Sequence, residues 1–184
     1  MNGKIGSDSG NIRVLKGSRL VLGGARSGKT AYALALAEQS GLKKWMIATA
    51  GIEDQEMSER IARHKEERGP DWELAEERIQ IVDVLKTHAR RDRIVVVDCL
   101  TLWLSNLAFE QFDLPTETSR LSEAVSSFDG PVIFVSNEIG LGLVPETQLG
   151  RSFRDAQGRL NQALAQACDK VTFVAAGLPL HLKS

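Results

Sequence analysis

A short glycine-containing stretch near the amino terminus constrains the fold and the ligand of this chain more than any other feature. The pattern Gly-x-x-x-x-Gly-Lys-Thr occurs at Gly23, Gly24, Ala25, Arg26, Ser27, Gly28, Lys29 and Thr30. An apolar run precedes it and an alanine- and leucine-rich segment follows it, which is the strand–loop–helix setting of a phosphate-binding loop. Glycines let the backbone wrap around phosphates, so that N–H groups and a helix N-terminus point at the anion. The stretch therefore predicts a nucleoside triphosphate as ligand.

The composition is typical of one folded domain. The chain has 184 residues, 42% of them hydrophobic and 26% charged, and its net charge of −1 gives no reason to expect nucleic acid or an anionic membrane as a partner. No apolar run approaches the roughly 20 residues of a membrane helix. Two cysteines are too few for a disulfide framework, so we expect a reducing compartment, the cytoplasm. We interpret residues 1–18 as a flexible leader and residues 19–184 as the domain.

Strand-like and helix-like segments alternate along that domain. The predicted strands are 19–22, 45–48, 72–74, 94–98, 132–135 and 171–174. The predicted helices are 29–39, 53–68, 79–89, 100–111, 119–128 and 147–167. Leu149, Phe153, Leu160 and Leu164 recur at helical spacing in the last of them and predict its buried face. Because several strands are apolar throughout, the alternation predicts an α/β fold with a mainly parallel sheet and helices on both faces.

Ligands of such sheets bind at the carboxyl ends of the strands. We therefore expect one edge of the sheet to carry the loops 23–30, 49–53, 98–100 and 136–145. Lys29 is expected to place its ammonium on the outer phosphates, and Thr30 and Asp98 to support Mg²⁺. Two alternatives stay open. Arg26 either contacts phosphate or is solvated, and Asp98 either supports the metal or is an ordinary strand-end cap.

His64 lies in the highly charged segment Arg63-His64-Lys65-Glu66-Glu67-Arg68. Helical spacing places it on the same face as Met57 and Ile61. The ordinary interpretation is a surface histidine on a solvated helix. The alternative is a nucleophile, because a neutral imidazole near a triphosphate could attack the α-phosphorus while basic neighbours offset the charge.

Four ordered motifs run through the domain. The first is the loop 23–30, and the second comprises Ile47-Ala48-Thr49-Ala50, Asp54, Glu56-Met57, Arg60-Ile61, His64, Arg68 and Trp72. The third is 97–107, and the fourth comprises Asn137-Glu138-Ile139-Gly140, Gly142, Val144-Pro145, Phe153-Arg154-Asp155 and Gly158-Arg159-Leu160-Asn161-Gln162. With these motifs the chain resembles the bifunctional adenosylcobinamide kinase / adenosylcobinamide-phosphate guanylyltransferase family of adenosylcobalamin biosynthesis. The resemblance covers about 19–183, and one departure is Gly69, where the family more often has proline.

The resemblance implies two activities on one corrinoid. A nucleoside triphosphate, ATP or GTP, phosphorylates adenosylcobinamide, and GMP is then transferred from GTP through a histidine–GMP intermediate at His64 to give adenosylcobinamide-GDP. It also implies a RecA-like P-loop domain, Mg²⁺ and a homotrimer. The implied nucleotide contacts are Thr49, Ala50, Gly51, Lys65, Glu66, Glu67, Arg68, Glu76 and Asp98. Because Glu77 follows Glu76, either carboxylate could meet the ribose.

Two other classes of function stay open at this point. One is a phosphate-loop kinase of another small molecule, without a covalent step. The other is a nucleotide-dependent switch in which the charged segment 53–68 is a partner surface. No cobalt ligand is evident, and we expect His88 and His181 to be structural or solvent-facing.

Overall fold

The computed structural model describes residues 17–50 and 71–184. The predicted helix 53–68 and six predicted site residues lie outside these ranges: Gly51, His64, Lys65, Glu66, Glu67 and Arg68. The expected leader 1–18 also lies outside them, apart from its last two residues.

Within the described residues, seven strands form one sheet in the order β3-β2-β4-β5-β1-β6-β7. The strands are β1 Ser18–Gly23, β2 Lys43–Ala48, β3 Trp72–Glu76, β4 Arg93–Asp98, β5 Val132–Asn137, β6 Lys170–Ala175 and β7 Leu178–Lys183. All neighbours pair in parallel except β6 and β7, which are antiparallel. The predicted α/β fold with a mainly parallel sheet is confirmed.

The described helices connect these strands. They are α1 Lys29–Gln39, α2 Ile81–His88, α3 Leu100–Phe109, α4 Leu114–Ala124 and α5 Gln148–Ala167, with a 3₁₀ turn at Val125–Ser127. The start predicted for α4, residue 119, is wrong by five positions. The helix begins after Asp113, whose carboxylate accepts a hydrogen bond from the N–H of Thr116, and Pro115 occupies its first turn. Both are ordinary signals of a helix N-terminus.

The core lies on both faces of the sheet, as β4 shows most clearly. Val95 and Val97 pack into a cluster with α2, α3, α4 and α5, whereas Ile94 and Val96 pack into a second cluster with α1. All four side chains are fully buried, which explains why this strand is apolar throughout. Burial of each such side chain contributes roughly 1.5–3 kcal/mol of transfer free energy. The prediction of helices on both faces is therefore confirmed.

Two sequence-based expectations need correction. β7 was not predicted, because Pro179 within its alternating run counts against a strand and the segment lacks the buried apolar run of the other strands. The turn of the β6–β7 hairpin has positive φ at both Ala176 (52°) and Gly177 (80°). Asn-Gly is the usual pair in such a turn, and Ala-Gly is a weaker sequence signal for a hairpin. Leu149, expected on the buried face of α5, is 78% exposed because it stands in the first turn of that helix, ahead of the part that packs on the sheet.

The two cysteines are buried and unpaired, as expected for small core residues. None of the helices in the described ranges combines the length and the hydropathy that crossing a membrane requires.

Candidate nucleotide-binding site

The predicted phosphate-binding loop closes tightly between β1 and α1. The N–H of Ser27 donates to the carbonyl oxygen of Gly24 at 3.3 Å, and α1 opens with a bond from the N–H of Tyr32 to Gly28. Gly28 has a φ of 94°, and Arg26 has a φ of 55°. These left-handed residues turn the backbone so that successive N–H groups line a concave loop, the arrangement that binds anions.

Neighbouring elements hold this loop on two sides. The N–H of Gly177, in the β6–β7 turn, donates to the carbonyl oxygen of Ser27 at 2.8 Å. On the other side, the N–H of Glu138 donates to the carbonyl oxygen of Gly23 at 3.0 Å. A Cβ at Gly23 would lie 2.5 Å from the carbonyl oxygen of Val174, so only glycine fits there. The loop is therefore shaped in advance by β5 and by a hairpin that the sequence analysis missed.

Lys29 stands at the first position of α1 and is buried. Its amine donates a hydrogen bond to the carbonyl oxygen of Gly24 at 3.0 Å. The hydroxyl of Ser27 is also buried, and it has no hydrogen-bond partner among the described residues. A phosphate oxygen would give the Ser27 hydroxyl a partner and the Lys29 amine an anionic one, so the loop fits the ligand that its sequence predicts. Ala25 and Arg26 are exposed at the tip of the loop.

The strand register places the predicted loops at one edge, as expected for the residues that the structure describes. Gly23 is paired with Asn137, and Asp98 is paired with both Val135 and Ala48. Ala48 in turn is paired with Glu76 at the end of β3. Asp98 and Glu76 therefore lie at the carboxyl edge of the sheet, where the phosphate loop also begins.

Thr30 and Asp98 are partly exposed at this edge, where Mg²⁺ is expected. No group of three or more His, Cys, Asp or Glu residues able to hold a metal occurs in 17–50 or 71–184. Mg²⁺ beside a nucleotide commonly takes one or two protein oxygens, with phosphates and waters completing its octahedron. A threonine hydroxyl and one carboxylate therefore fit this ion.

Thr49, a predicted nucleotide contact, lies inside the protein. Its hydroxyl donates to the carbonyl oxygen of Cys99 at 2.7 Å and accepts from the N–H of Cys99 at 2.9 Å. Its own N–H donates to Asp98, and its carbonyl oxygen accepts from the amide of Asn106. Thr49 thus joins the β2 and β4 ends of the edge, while Ala50 beside it is partly exposed. Contact of either residue with nucleotide stays a prediction.

The two neighbouring glutamates after β3 differ in what they bind. Glu77 accepts hydrogen bonds from the N–H groups of Ile79 and Gln80, both at 2.8 Å, and so supports the turn into α2. Glu76 is exposed at the edge of the sheet. Contact of either carboxylate with the ribose stays a prediction.

The raised pKa values of both cysteines argue against a reactive thiol. Burial raises the pKa of the Cys99 thiol to about 11, and the neighbouring Asp98 carboxylate contributes to the rise. Burial likewise raises the pKa of Cys168 to about 12. Both thiols are therefore protonated at neutral pH, and neither is a nucleophile.

Comparison of the sequence with known proteins identifies the family of this chain. The family model described as cobinamide kinase / cobinamide phosphate guanyltransferase matches residues 19–182. The chain belongs to this family. It is 46% identical over 166 residues to the bifunctional adenosylcobalamin biosynthesis protein CobP of Pseudomonas aeruginosa, covering 89% of this chain and 96% of that protein. It is 36% identical over 179 residues to CobU of Salmonella typhimurium, covering 89% of this chain and 98% of the relative.

A solved structure supports the fold alone. The P4 protein from bacteriophage phi6, in complex with ADP, aligns with a TM-score of 0.51 at 16% identity, over 91% of this chain and 55% of that one. The cobinamide kinase / cobinamide phosphate guanyltransferase chain described here thus shares the phosphate-loop NTPase architecture expected from its sequence.

Asn161 of the fourth motif takes part in a buried polar network that was not predicted from the sequence. Ser136 donates to Oδ1 of Asn161 at 2.7 Å, and Gln157 donates to both residues at 3.0 Å. Asn161 in turn donates to the carbonyl oxygen of Asn137 at 3.0 Å. The network ties α5 to the end of β5, beside the phosphate loop. Its signal in the sequence was a pair of polar residues, Gln157 and Asn161, four positions apart on the buried face of α5.

The two histidines that the structure describes, His88 and His181, lie outside the candidate site. His88 stacks on Trp45 with a ring-centroid distance of 3.9 Å, and partial burial lowers its pKa. Nδ1 of His181 lies 3.1 Å from the hydroxyl of Thr172 in the β6–β7 hairpin. Both have the structural surroundings that we expected.

Proposed function

We propose that this chain catalyses both reactions that its family description names, using adenosylcobinamide and its phosphate as acceptors. The observation that carries the proposal is the phosphate loop with the buried amine of Lys29, at an edge shared with Asp98 and Glu76. The loop residues Gly23 to Thr30 supply the phosphate cradle. Lys29 adds a fixed positive charge, which is the main protein contribution that phosphoryl transfer needs.

In the first reaction the aminopropanol hydroxyl oxygen of adenosylcobinamide attacks the γ-phosphorus of ATP or GTP. An oxygen–phosphorus bond forms, the bond from the γ-phosphorus to the bridging oxygen breaks, and the nucleoside diphosphate departs. The hydroxyl proton passes to solvent. Lys29 and the loop N–H groups stabilise the charge that develops on the phosphate oxygens.

In the second reaction His64 attacks the α-phosphorus of GTP, forming a nitrogen–phosphorus bond as pyrophosphate departs. A phosphate oxygen of adenosylcobinamide phosphate then attacks the same phosphorus, and the bond to the imidazole breaks. His64 is proposed from the sequence, since it lies outside the described residues. The same holds for the proposed contacts at Gly51, Lys65, Glu66, Glu67 and Arg68.

Thr30 and Asp98 are proposed to hold Mg²⁺, which when bound neutralises phosphate charge. Glu76 is proposed to accept hydrogen bonds from the ribose of GTP, because it is the exposed carboxylate of the Glu76–Glu77 pair. We further propose a homotrimer in the cytoplasm. Two buried, unpaired cysteines fit that reducing compartment.

One incubation tests the proposal. The protein is mixed with adenosylcobinamide, ATP, GTP and Mg²⁺, and the corrinoid products are identified by mass. We expect adenosylcobinamide phosphate first and adenosylcobinamide-GDP later. Formation of adenosylcobinamide phosphate without adenosylcobinamide-GDP would identify a kinase alone. Hydrolysis of nucleotide without either corrinoid product would identify a switch protein. Each of those results contradicts the proposed pair of activities.

A further inference from the structure

Several large apolar side chains are exposed in the loop between β5 and α5. Leu141, Leu143 and Val144 are 82%, 96% and 63% exposed, and Leu149 in the first turn of α5 is exposed as well. A single exposed leucine is ordinary, but several within one short segment are typical of a surface that binds a ligand or a partner. These four residues are called the apolar loop cluster below.

The end of this loop is held firmly against α5. Nη1 of Arg151 donates to the carbonyl oxygens of Pro145 at 3.0 Å and of Glu146 at 2.7 Å. A Cβ added at Gly150 would lie 2.8 Å from Cβ of Pro145, so the first turn of α5 packs directly on the end of the loop. Leu149, next to Gly150 in the chain, therefore lies beside the end of the loop.

The start of the loop is anchored on the phosphate loop. The N–H of Glu138 donates to the carbonyl oxygen of Gly23 at 3.0 Å, and Oε1 of Glu138 accepts a hydrogen bond from the N–H of Gly140. Leu141 comes directly after this turn. The exposed leucines are thus carried by a loop that is fixed at both of its ends, and one of those ends contacts the phosphate loop.

The phosphate loop limits where an acceptor can lie. In the proposed function the outer phosphates lie over the amine of Lys29, and the attacking hydroxyl oxygen must come within about 3–3.5 Å of the γ-phosphorus. The rest of a large acceptor then lies on the surface beside the phosphate loop. Leu141 follows Glu138 by three residues, so it lies within about 11 Å of the anchor at Gly23. The apolar loop cluster is therefore within reach of the body of such an acceptor.

We propose that the apolar loop cluster binds the corrin macrocycle of adenosylcobinamide and of its phosphate. This inference rests on the proposed function, which supplies the acceptor. A corrin ring is large and mainly apolar on its faces, so contact with the leucines removes apolar surface of both partners from water. Binding energy from this remote part of the substrate holds the reacting hydroxyl in place. The acceptor is common to both reactions, so the cluster serves both.

The test measures the KM values of the two substrates of the kinase reaction separately. In the double variant Leu141→Ser and Leu143→Ser, we expect the KM for adenosylcobinamide to rise at least tenfold, while the KM for ATP stays within about twofold. Both side chains are so exposed that their substitution has little effect on folding. An equal rise in both KM values would place the effect at the phosphate loop and overturn the proposal.

A conservative variant and a matched control accompany this measurement. Replacement of Leu141 and Leu143 by methionine keeps the apolar surface and is expected to leave the KM for adenosylcobinamide within about threefold of the wild type. A methionine variant as impaired as the serine variant would contradict an apolar contact.

The matched control is the double variant Leu180→Ser and Leu182→Ser. Both leucines are exposed on β7, which runs away from the carboxyl edge, since Lys183 is paired with Val171 near the start of β6. We expect neither KM to change by more than about twofold. A rise in the KM for adenosylcobinamide as large as that of the Leu141 and Leu143 variant would show that the effect is not specific to this loop.

The mass of each variant in solution, measured by light scattering, separates a ligand surface from an interface between copies of this chain. We expect the serine variant of Leu141 and Leu143 to have the mass of the wild type. A variant that dissociates would assign the cluster to a contact between copies and overturn the proposal. A wild-type protein that forms no corrinoid product contradicts the proposed function itself. A wild-type protein that forms both products, with an unchanged KM for adenosylcobinamide in the serine variant, overturns only the role of the cluster.

Discussion

The side-chain amine of Lys29 donates a hydrogen bond to the carbonyl oxygen of Gly24 at 3.0 Å, across the loop in which both residues stand. Burying an ammonium carries a desolvation cost, which hydrogen bonds and nearby charges in the protein must offset. A phosphate oxygen is a stronger partner for this amine because it is charged. The fold therefore holds a cation ready over the loop before chemistry begins.

Lys29→Ala is expected to weaken both activities, because both reactions use the same phosphate cradle. Loss of one preorganised charge of this kind costs about 100- to 1000-fold in kcat. Steady-state assays with ATP and with GTP measure the effect. Lys44→Ala is the control, since the amine of Lys44 instead pairs with Glu38 at 2.6 Å. A Lys29→Ala protein with full kinase turnover would show that the phosphate site lies elsewhere.

Gly23 and Gly24 form a matched pair for testing how tightly the loop is built. A Cβ at Gly23 would lie 2.4 Å from the Ser27 hydroxyl and 2.5 Å from the carbonyl oxygen of Val174, whereas a Cβ at Gly24 meets nothing within 4 Å. Overpacking of this kind costs about 1–3 kcal/mol. We expect Gly23→Ala to lower the free energy of unfolding in urea by that amount. Equal losses in Gly23→Ala and Gly24→Ala would contradict the close packing of the loop on β6.

Substitutions of Glu76 and Glu77 are expected to affect different quantities, the KM for GTP in one case and the free energy of unfolding in the other. Glu76→Gln is expected to raise the KM for GTP with little change in the free energy of unfolding, because Glu76 is exposed at the site edge. Glu77→Gln weakens two bonds to backbone N–H groups and is expected to cost about 1 kcal/mol of stability, with little change in KM. GTP titrations and urea unfolding of both variants check this. The reverse pattern would assign the ribose contact to Glu77.

The parts of this fold that the sequence predicted best are those in which local pattern and tertiary packing agree. The apolar run at 94–97 reads as a buried strand, and it is buried on both faces. The loop at 23–30 could be recognised from its residue types, because Gly28 permits the left-handed turn, although Glu138 and Gly177 also help to hold its shape. The shared edge then follows from the parallel topology.

The parts that the sequence did not predict depend on contacts between distant segments. Nothing local to Thr49 shows that its hydroxyl is occupied by Cys99, a residue 50 positions further along. All six positions of β7 are exposed and Pro179 stands within it, so its local sequence does not mark it as a core strand, yet Gly177 in the turn before it supports the phosphate loop. The sequence likewise does not show that Glu77, and not Glu76, accepts hydrogen bonds from the backbone N–H groups before α2.

The stability of the sheet should depend on pH through Asp169, which joins the starts of β1 and β6. Its carboxylate accepts from the N–H and the hydroxyl of Ser18 at 2.7 and 2.9 Å, and these bonds, the backbone one foremost, lower its pKa. A depressed carboxyl pKa adds stability above the unfolded value of about 4, and this stability is lost as pH falls through the lower folded value.

Asp169→Asn is therefore expected to lower the free energy of unfolding at pH 7, and the gap to the wild type should narrow as the pH falls below about 4. Urea unfolding at several pH values measures the gap. Asp129→Asn is the control, because the carboxylate of Asp129 makes only an exposed ion pair with Arg90 at 3.7 Å. A gap that is constant across the pH range would rule out the charge of Asp169 as its source.

His64→Ala should separate the two proposed reactions most sharply. Only guanylyl transfer uses a protein nucleophile, so the variant is expected to lose all acid-labile labelling by [α-³²P]GTP while it still phosphorylates adenosylcobinamide. Labelling of acid-quenched protein and mass analysis of the corrinoid measure the two steps. His88→Ala and His181→Ala are the controls, since one ring stacks on Trp45 and the other contacts Thr172. Labelling that persists in His64→Ala and disappears in either control would move the nucleophile to that histidine.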